Sequence, residues 1–211
     1  MWPARECLVR TDLFRSPRLW LWAAPGLMWL LFCLWYTNTS GAISEPEREA
    51  FLEAAAQMGW GDERLASIER FMEQDDGGQF LMVNLLDLAD DPEAGANMSR
   101  YMEHMLPALL ERACHPTFAG DVVHQAMDLA GIEGAETWGS VGIVRYRSRR
   151  DLLEIAMNPV FSDKHDYKIE ALAKTIAVPI APSIYLSDLR LFLLLVLLAV
   201  IGIANALWAR R

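Results

Sequence analysis

Two stretches without a single charge, residues 19–36 and 191–208, set the first limit on what this chain can fold into. Each has 18 residues, which as a helix span about 27 Å, close to the ~30 Å hydrocarbon layer of a bilayer. Aromatic residues stand near their ends: Trp20 and Trp22, Trp35 and Tyr36, and Trp208. Interfacial belts place them there. Together with the flanking arginines they argue for transmembrane helices over 19–36 and 190–208 rather than buried core helices. Arg5, Arg10, Arg15 and Arg18 precede the first run, and Arg210 and Arg211 follow the second. The opposite flanks carry little beyond Arg48 and Arg190. The positive-inside rule then predicts a two-pass protein of the cytoplasmic membrane, with both termini inside and the main domain outside. A cleaved signal peptide is the alternative for the first run, since Ser40-Gly41-Ala42 offers small residues for processing. The run is longer than a usual signal core and rich in tryptophan, which favours an anchor.

Charge narrows the partners. The chain carries −9 overall, which argues against nucleic acid. Residues 37–188 hold 12 Lys and Arg against 26 Asp and Glu, so this part should stay off an anionic membrane surface. The cysteines are Cys7, Cys33 and Cys114. By the predicted topology they lie in three different compartments, so no disulfide can staple the exported domain. Cys114 reads as a small buried apolar residue.

Between the spans the chain divides into a linker with leader helices, 37–75, and an α+β domain, 76–186, after a short cytoplasmic segment, 1–18. Ser44-Glu45-Pro46-Glu47 reads as a helix start, running to about Met58. A second short helix follows from Asp62. Residues 80–87, Phe-Leu-Met-Val-Asn-Leu-Leu-Asp, form a nearly apolar run bounded by Asp76-Gly77-Gly78 and Asp91-Pro92, the pattern of a buried strand. A helix is predicted over 97–113, kinked or split at Pro107. Strands follow over 117–126 and 138–146. Ser148 and Asp151 then open a helix that stops at Asn158-Pro159, and a further helix covers 162–174. The last strand, 176–180, contains Pro179, so it belongs at a sheet edge. The order strand, helix, strand, strand, helix in two pieces, strand is the ferredoxin-like split βαβ arrangement. Its sheet has helices on one face, and a second copy is the simplest cover for the other.

Residues 76–86, Tyr101, Thr137-Trp138, 141–148, Asn158-Pro159 and His165 with Ala171-Leu172 resemble a small bacterial family of unknown function. That family belongs to the dimeric α+β barrel superfamily, which includes antibiotic-biosynthesis-type monooxygenases and haem-degrading enzymes. The resemblance covers about residues 60–182. It implies a homodimer whose two sheets close into a barrel, with a cavity between each sheet and its helices or loops. The family's glycine-rich opening of the second strand is replaced here by residues 114–120, and the membrane spans are additions.

Strand alternation assigns faces. Leu81, Val83 and Leu85, with Val141 and Ile143, should pack on the helices. Phe80, Met82, Asn84 and Leu86 should face the barrel or cavity, as should Trp138, Ser140, Val144 and Tyr146. Asn84, Met82, Trp138 and Tyr146 are thus the candidate ligand-binding residues, apolar walls with few polar groups. The ordinary alternative for Asn84 is a bond to backbone or water. His165 and Tyr101 are the candidate catalytic residues. His165 suits a general base or a haem ligand, and otherwise is a satisfied core histidine. No cofactor is predicted, haem being the alternative, and no metal-ligand spacing exists. Arg145, Arg147, Arg149 and Arg150 form the basic cluster. It reads as a solvated strand end, or as a contact for the acidic surface of a partner. The sequence supports a small-ligand-binding or accessory module. The alternatives are a monooxygenase- or isomerase-like enzyme, or a subunit of a larger membrane complex with other membrane proteins.

Overall fold

In the computed structural model, residues 16–210 are described. Cys7, Arg5, Arg10, Arg15 and Arg211 lie outside them. The chain forms two compact units, residues 37–183 and the terminal segments around them.

The terminal unit holds two long helices, α1 (Pro17–Tyr36) and, last in the chain, α7 (Leu189–Ala209). Both are long and apolar enough to cross a membrane. Pro25 lies inside α1 without ending it. Trp29 Nε1 donates to the Arg190 carbonyl at 2.9 Å, and Asp188 caps α7 through the Arg190 N–H.

The other unit begins with α2 (Glu45–Gln57) and α3 (Asp62–Glu73), followed by β1 (Phe80–Leu88), α4 (Ala94–Glu111), β2 (His115–Asp121) and β3 (Ser140–Tyr146). Then come α5 (Arg149–Ala156), α6 (Pro159–Ala171) and β4 (Leu172–Ile180). The sheet order is β2-β3-β1-β4 with all pairs antiparallel. That is the split βαβ arrangement read from the sequence, with the proline-bearing strand at an edge. Pro107 does not split α4. Glu103, whose carbonyl loses its partner, and Pro107 itself are both exposed, so the proline falls on the solvent side of the helix rather than in the core.

Alternation pairs the residues as expected, but the helices cover the opposite face. Phe80, opposite Tyr146, and Met82, opposite Val144, pack with Leu109 and Ile155 of the helices. Val83 shares its row with Ile143, Val178 and Phe118 on the face away from them. Period two says which residues share a face, not which face the helices take. Long side chains such as Phe80, Met82 and Tyr146 span the gap to a helix layer. β-branched Val83, Ile143, Ile176 and Val178 make a flat surface suited to another sheet.

The leader helices build a second buried cluster on α5. Ile43, Ala55 and Met72 are buried against Leu153 and Met157 of the α5 region. The four arginines do not form a free basic patch. Arg145 is fully buried and donates to the Ala113 carbonyl at 2.7 Å and to Gln79. Arg147 pairs with Asp151, Arg149 with Asp75, and Arg150 with Glu47 and the carbonyls of Gly41 and Ala42. Each finds its acid or carbonyl within its own chain, because folding brings 41–47 and 75 beside the start of α5.

Candidate functional site

Between the even-numbered face of the sheet and the helices lies a cavity of about 990 Å³. β1 sends Met82, Asn84 and Leu86 into it, and α4 sends Met98, Tyr101, Met102 and Met105. Those α4 residues recur at helical spacing, so one stripe faces the sheet. The third wall comes from α3 and the turn before it, with Trp60, Arg64, Ile68 and Phe71. His165, Asp166 and Lys168 of α6 complete it. Methionine thioethers adapt to irregular shapes.

The expected site residues mostly converge. Met82, Asn84, Tyr101, Tyr146 and His165 all line this one cavity. Asn84 donates both amide N–H groups, to the carbonyls of Met82 at 3.1 Å and Gly142 at 3.2 Å. Two carbonyl partners fix the orientation of the amide and leave Oδ1 as an acceptor for whatever fills the cavity. The structural and the ligand-binding readings of Asn84 are thus compatible.

Trp138 is the exception. It precedes β3, its indole donates to the Ala135 carbonyl at 2.9 Å, and Lys174 sits 4.7 Å from its ring. It is not among the lining residues, because β3 starts at Ser140 and the alternation does not reach back to it.

Electrostatics follow burial. Tyr101 stands edge-on to His165, ring centroids 6.5 Å apart, and burial pushes its phenol up to about 12. Tyr146 is shifted upward for the same reason, and stacks on Phe80 at 5.2 Å. Both phenols therefore stay protonated. Burial, then the charges of Lys168 and Arg64, hold the His165 imidazole below its ordinary value, so it is neutral at pH 7 and able to accept a proton. Burial also lowers Lys168 and Arg64. Among the described residues no cluster of three His, Cys, Asp or Glu side chains could hold a metal ion.

Sequence reasoning did not single out Arg64, Lys168 or Trp60. Arg64 and Trp60 lie in the leader region, whose place in the cavity wall depends on long-range packing. Lys168 follows His165 by three residues on the same helix, so it shares a face with it. That spacing was the available signal.

No family model matches the chain, and no curated protein matches it either. Solved structures show remote likeness. A protein of unknown function from Rhodopseudomonas palustris has 20% identity and a TM-score of 0.48, over 60% of this chain and 96% of its own. A dimeric protein of unknown function and ferredoxin-like fold from Bacteroides fragilis has 18% identity and a TM-score of 0.33, over 50% and 97%. A dimeric ferredoxin-like protein of unknown function from Thermobifida fusca has 15% identity and a TM-score of 0.34, over 49% and 91%. At these scores the fold rests on this chain's own strand order and helix placement.

Proposed function

We propose that this chain is a membrane-anchored, extracytoplasmic module that binds a small, mainly apolar ligand. The cavity beside Asn84 carries the reading. Small-molecule sites have about 300–1,000 Å³, apolar walls and a few placed polar groups. Protein interiors otherwise close-pack, and open space costs stability. To test it, the full chain in nanodiscs of zwitterionic lipid is titrated with the fluorescent apolar probe N-phenyl-1-naphthylamine, with empty discs as baseline. Met102→Trp fills the space and should weaken binding roughly tenfold or more. Equal binding by the two proteins would place the probe elsewhere.

The open sheet face supports a homodimer. Val178 is 46% exposed beside the half-buried Val83, Ile143 and Ile176 of the same face, and an apolar face of this kind marks an interaction surface. Two such faces closing on one another would form the barrel.

Membrane placement rests on the two apolar helices and on the arginine distribution of the sequence. A reporter that works only outside the cytoplasm, fused after residue 186, should be active. Activity only from a cytoplasmic reporter would reverse the orientation.

The neutral His165 against Tyr101 favours one second reading, proton-transfer chemistry on the bound molecule. Turnover of a molecule recovered from the cavity, lost in His165→Ala while binding persists, would establish it.

A further inference from the structure

We propose that the cavity takes an amphiphile with an acidic head group, its apolar tail among the methionines and its head between Arg64 and Lys168. This rests on the ligand-binding reading above and adds the chemical class of the ligand.

Arg64 and Asp166 are exposed and yet line the cavity, so they mark its mouth. Lys168 and His165 are half-buried just inside. The Arg64 guanidinium lies 3.7 Å from the centroid of the Trp60 ring, and Lys168 Nζ lies 5.8 Å from that of Tyr101. Each cation is held on an aromatic face. Among the described residues neither makes an ion pair or a hydrogen bond. Elsewhere in the unit Arg112, Arg147, Arg149 and Arg150 all meet a carboxylate. Arg70 and Lys164 likewise show no ion pair among the described residues, but neither lines the cavity; Arg64 and Lys168 do, and the charge they hold on aromatic faces in its wall is free to meet an anion.

The donor inventory points the same way. Lysine and arginine offer only N–H donors, and stacking on an aromatic face leaves the guanidinium edge open to an oxyanion. The positive charge of both groups reaches His165 and lowers its pKa, so the three groups share one local field. Asp121 and Asp166 also line the cavity and both are exposed to solvent. With a screening length of about 8 Å at physiological salt, a head held directly by the two cations senses them far more than the acidic surface. Inward from the cations the wall turns to Met98, Met102, Met105 and Ile68, which suits a hydrocarbon tail.

Two probes that differ by one anionic group provide the test. The full chain in zwitterionic nanodiscs is titrated with 1-anilinonaphthalene-8-sulfonate and with its uncharged parent, N-phenyl-1-naphthylamine. The sulfonate should bind about ten- to a hundredfold tighter, the effect of a hydrogen bond to a charged group. Lys168→Met, which keeps the stem, should remove most of that preference, read as the ratio of the two probes' affinities in the same variant. Arg64→Gln, at an exposed site, should do the same. Dodecanoate and dodecyl phosphate should each displace the sulfonate, their ratio showing which acid is preferred, while dodecanol and inorganic phosphate alone should not. Equal affinity for both probes, unmoved by either variant, would overturn the head-group assignment and leave the cavity reading intact. Failure of both probes to bind would overturn both. Displacement by inorganic phosphate alone would show an anion site without a tail site, and would also overturn the proposal.

Discussion

Gly77 shows how a single residue ties the linker before α2 to the domain. It adopts φ +75°, and a Cβ there would lie 2.6 Å from the Gly41 carbonyl carbon. The close approach lets Asn38 Nδ2 donate to the Gly77 carbonyl at 2.9 Å. Gly77→Ala should therefore destabilise the protein by about 2 kcal/mol or more, combining left-handed strain with backbone overlap. Chemical denaturation of the full chain checks it, and an unchanged midpoint would mean that 37–44 is not packed there. At this scale Asn84 was legible as the one amide in an apolar strand. Its bonds to Met82 and Gly142 were not, since they depend on which strand lies beside β1.

Among elements, the start of α2 is held from two sides. Ser44 and Glu47 form a capping box, and Arg150, at the start of α5, grips Glu47 at 2.8 Å. These bonds, that to Arg150 foremost, lower the Glu47 carboxyl from 4.5 to about 2. A carboxylate with a depressed folded pKa stabilises the fold above its unfolded value and loses that contribution as pH falls through the folded one. The stability difference between the wild type and Glu47→Gln should thus be full at pH 7, shrink below 4.5 and vanish near 2. Urea titrations at stepped pH measure it, and a difference independent of pH would rule out the ionised pair as its source. The helix start was legible from Ser44-Glu45-Pro46-Glu47. The Arg150 clamp was not, because 103 residues separate the partners.

For the whole molecule the open sheet face is decisive. Val83, Ile143, Ile176 and Val178 form an apolar surface on the face away from this unit's core helices. Val178→Asp on the edge strand and Val83→Asp near the centre should each convert the proposed dimer to monomer, since a charge buried in an apolar interface is costly. Light scattering of the full chain in detergent reads the change. A wild type that is already monomeric, or a dimer that survives both variants, would remove the barrel. The cavity, on the far side of the sheet, should keep its probe affinity in the Val178→Asp variant.

The sequence by itself determined the order of elements, the edge position of β4, the two apolar helices and, Trp138 apart, the residues sharing a face with Asn84. Each follows from local pattern: a period of two or 3.6, a proline that cannot donate, a run long enough to span a bilayer. Only the tertiary structure decided which face the helices cover, and so that Met82, Asn84 and Tyr146 look into a cavity behind the sheet rather than into a barrel. It also decided that the four arginines serve their own chain and that Arg64 and Lys168 line one cavity. Those outcomes depend on side-chain volume and on charges brought together across long stretches of sequence, which no local period encodes.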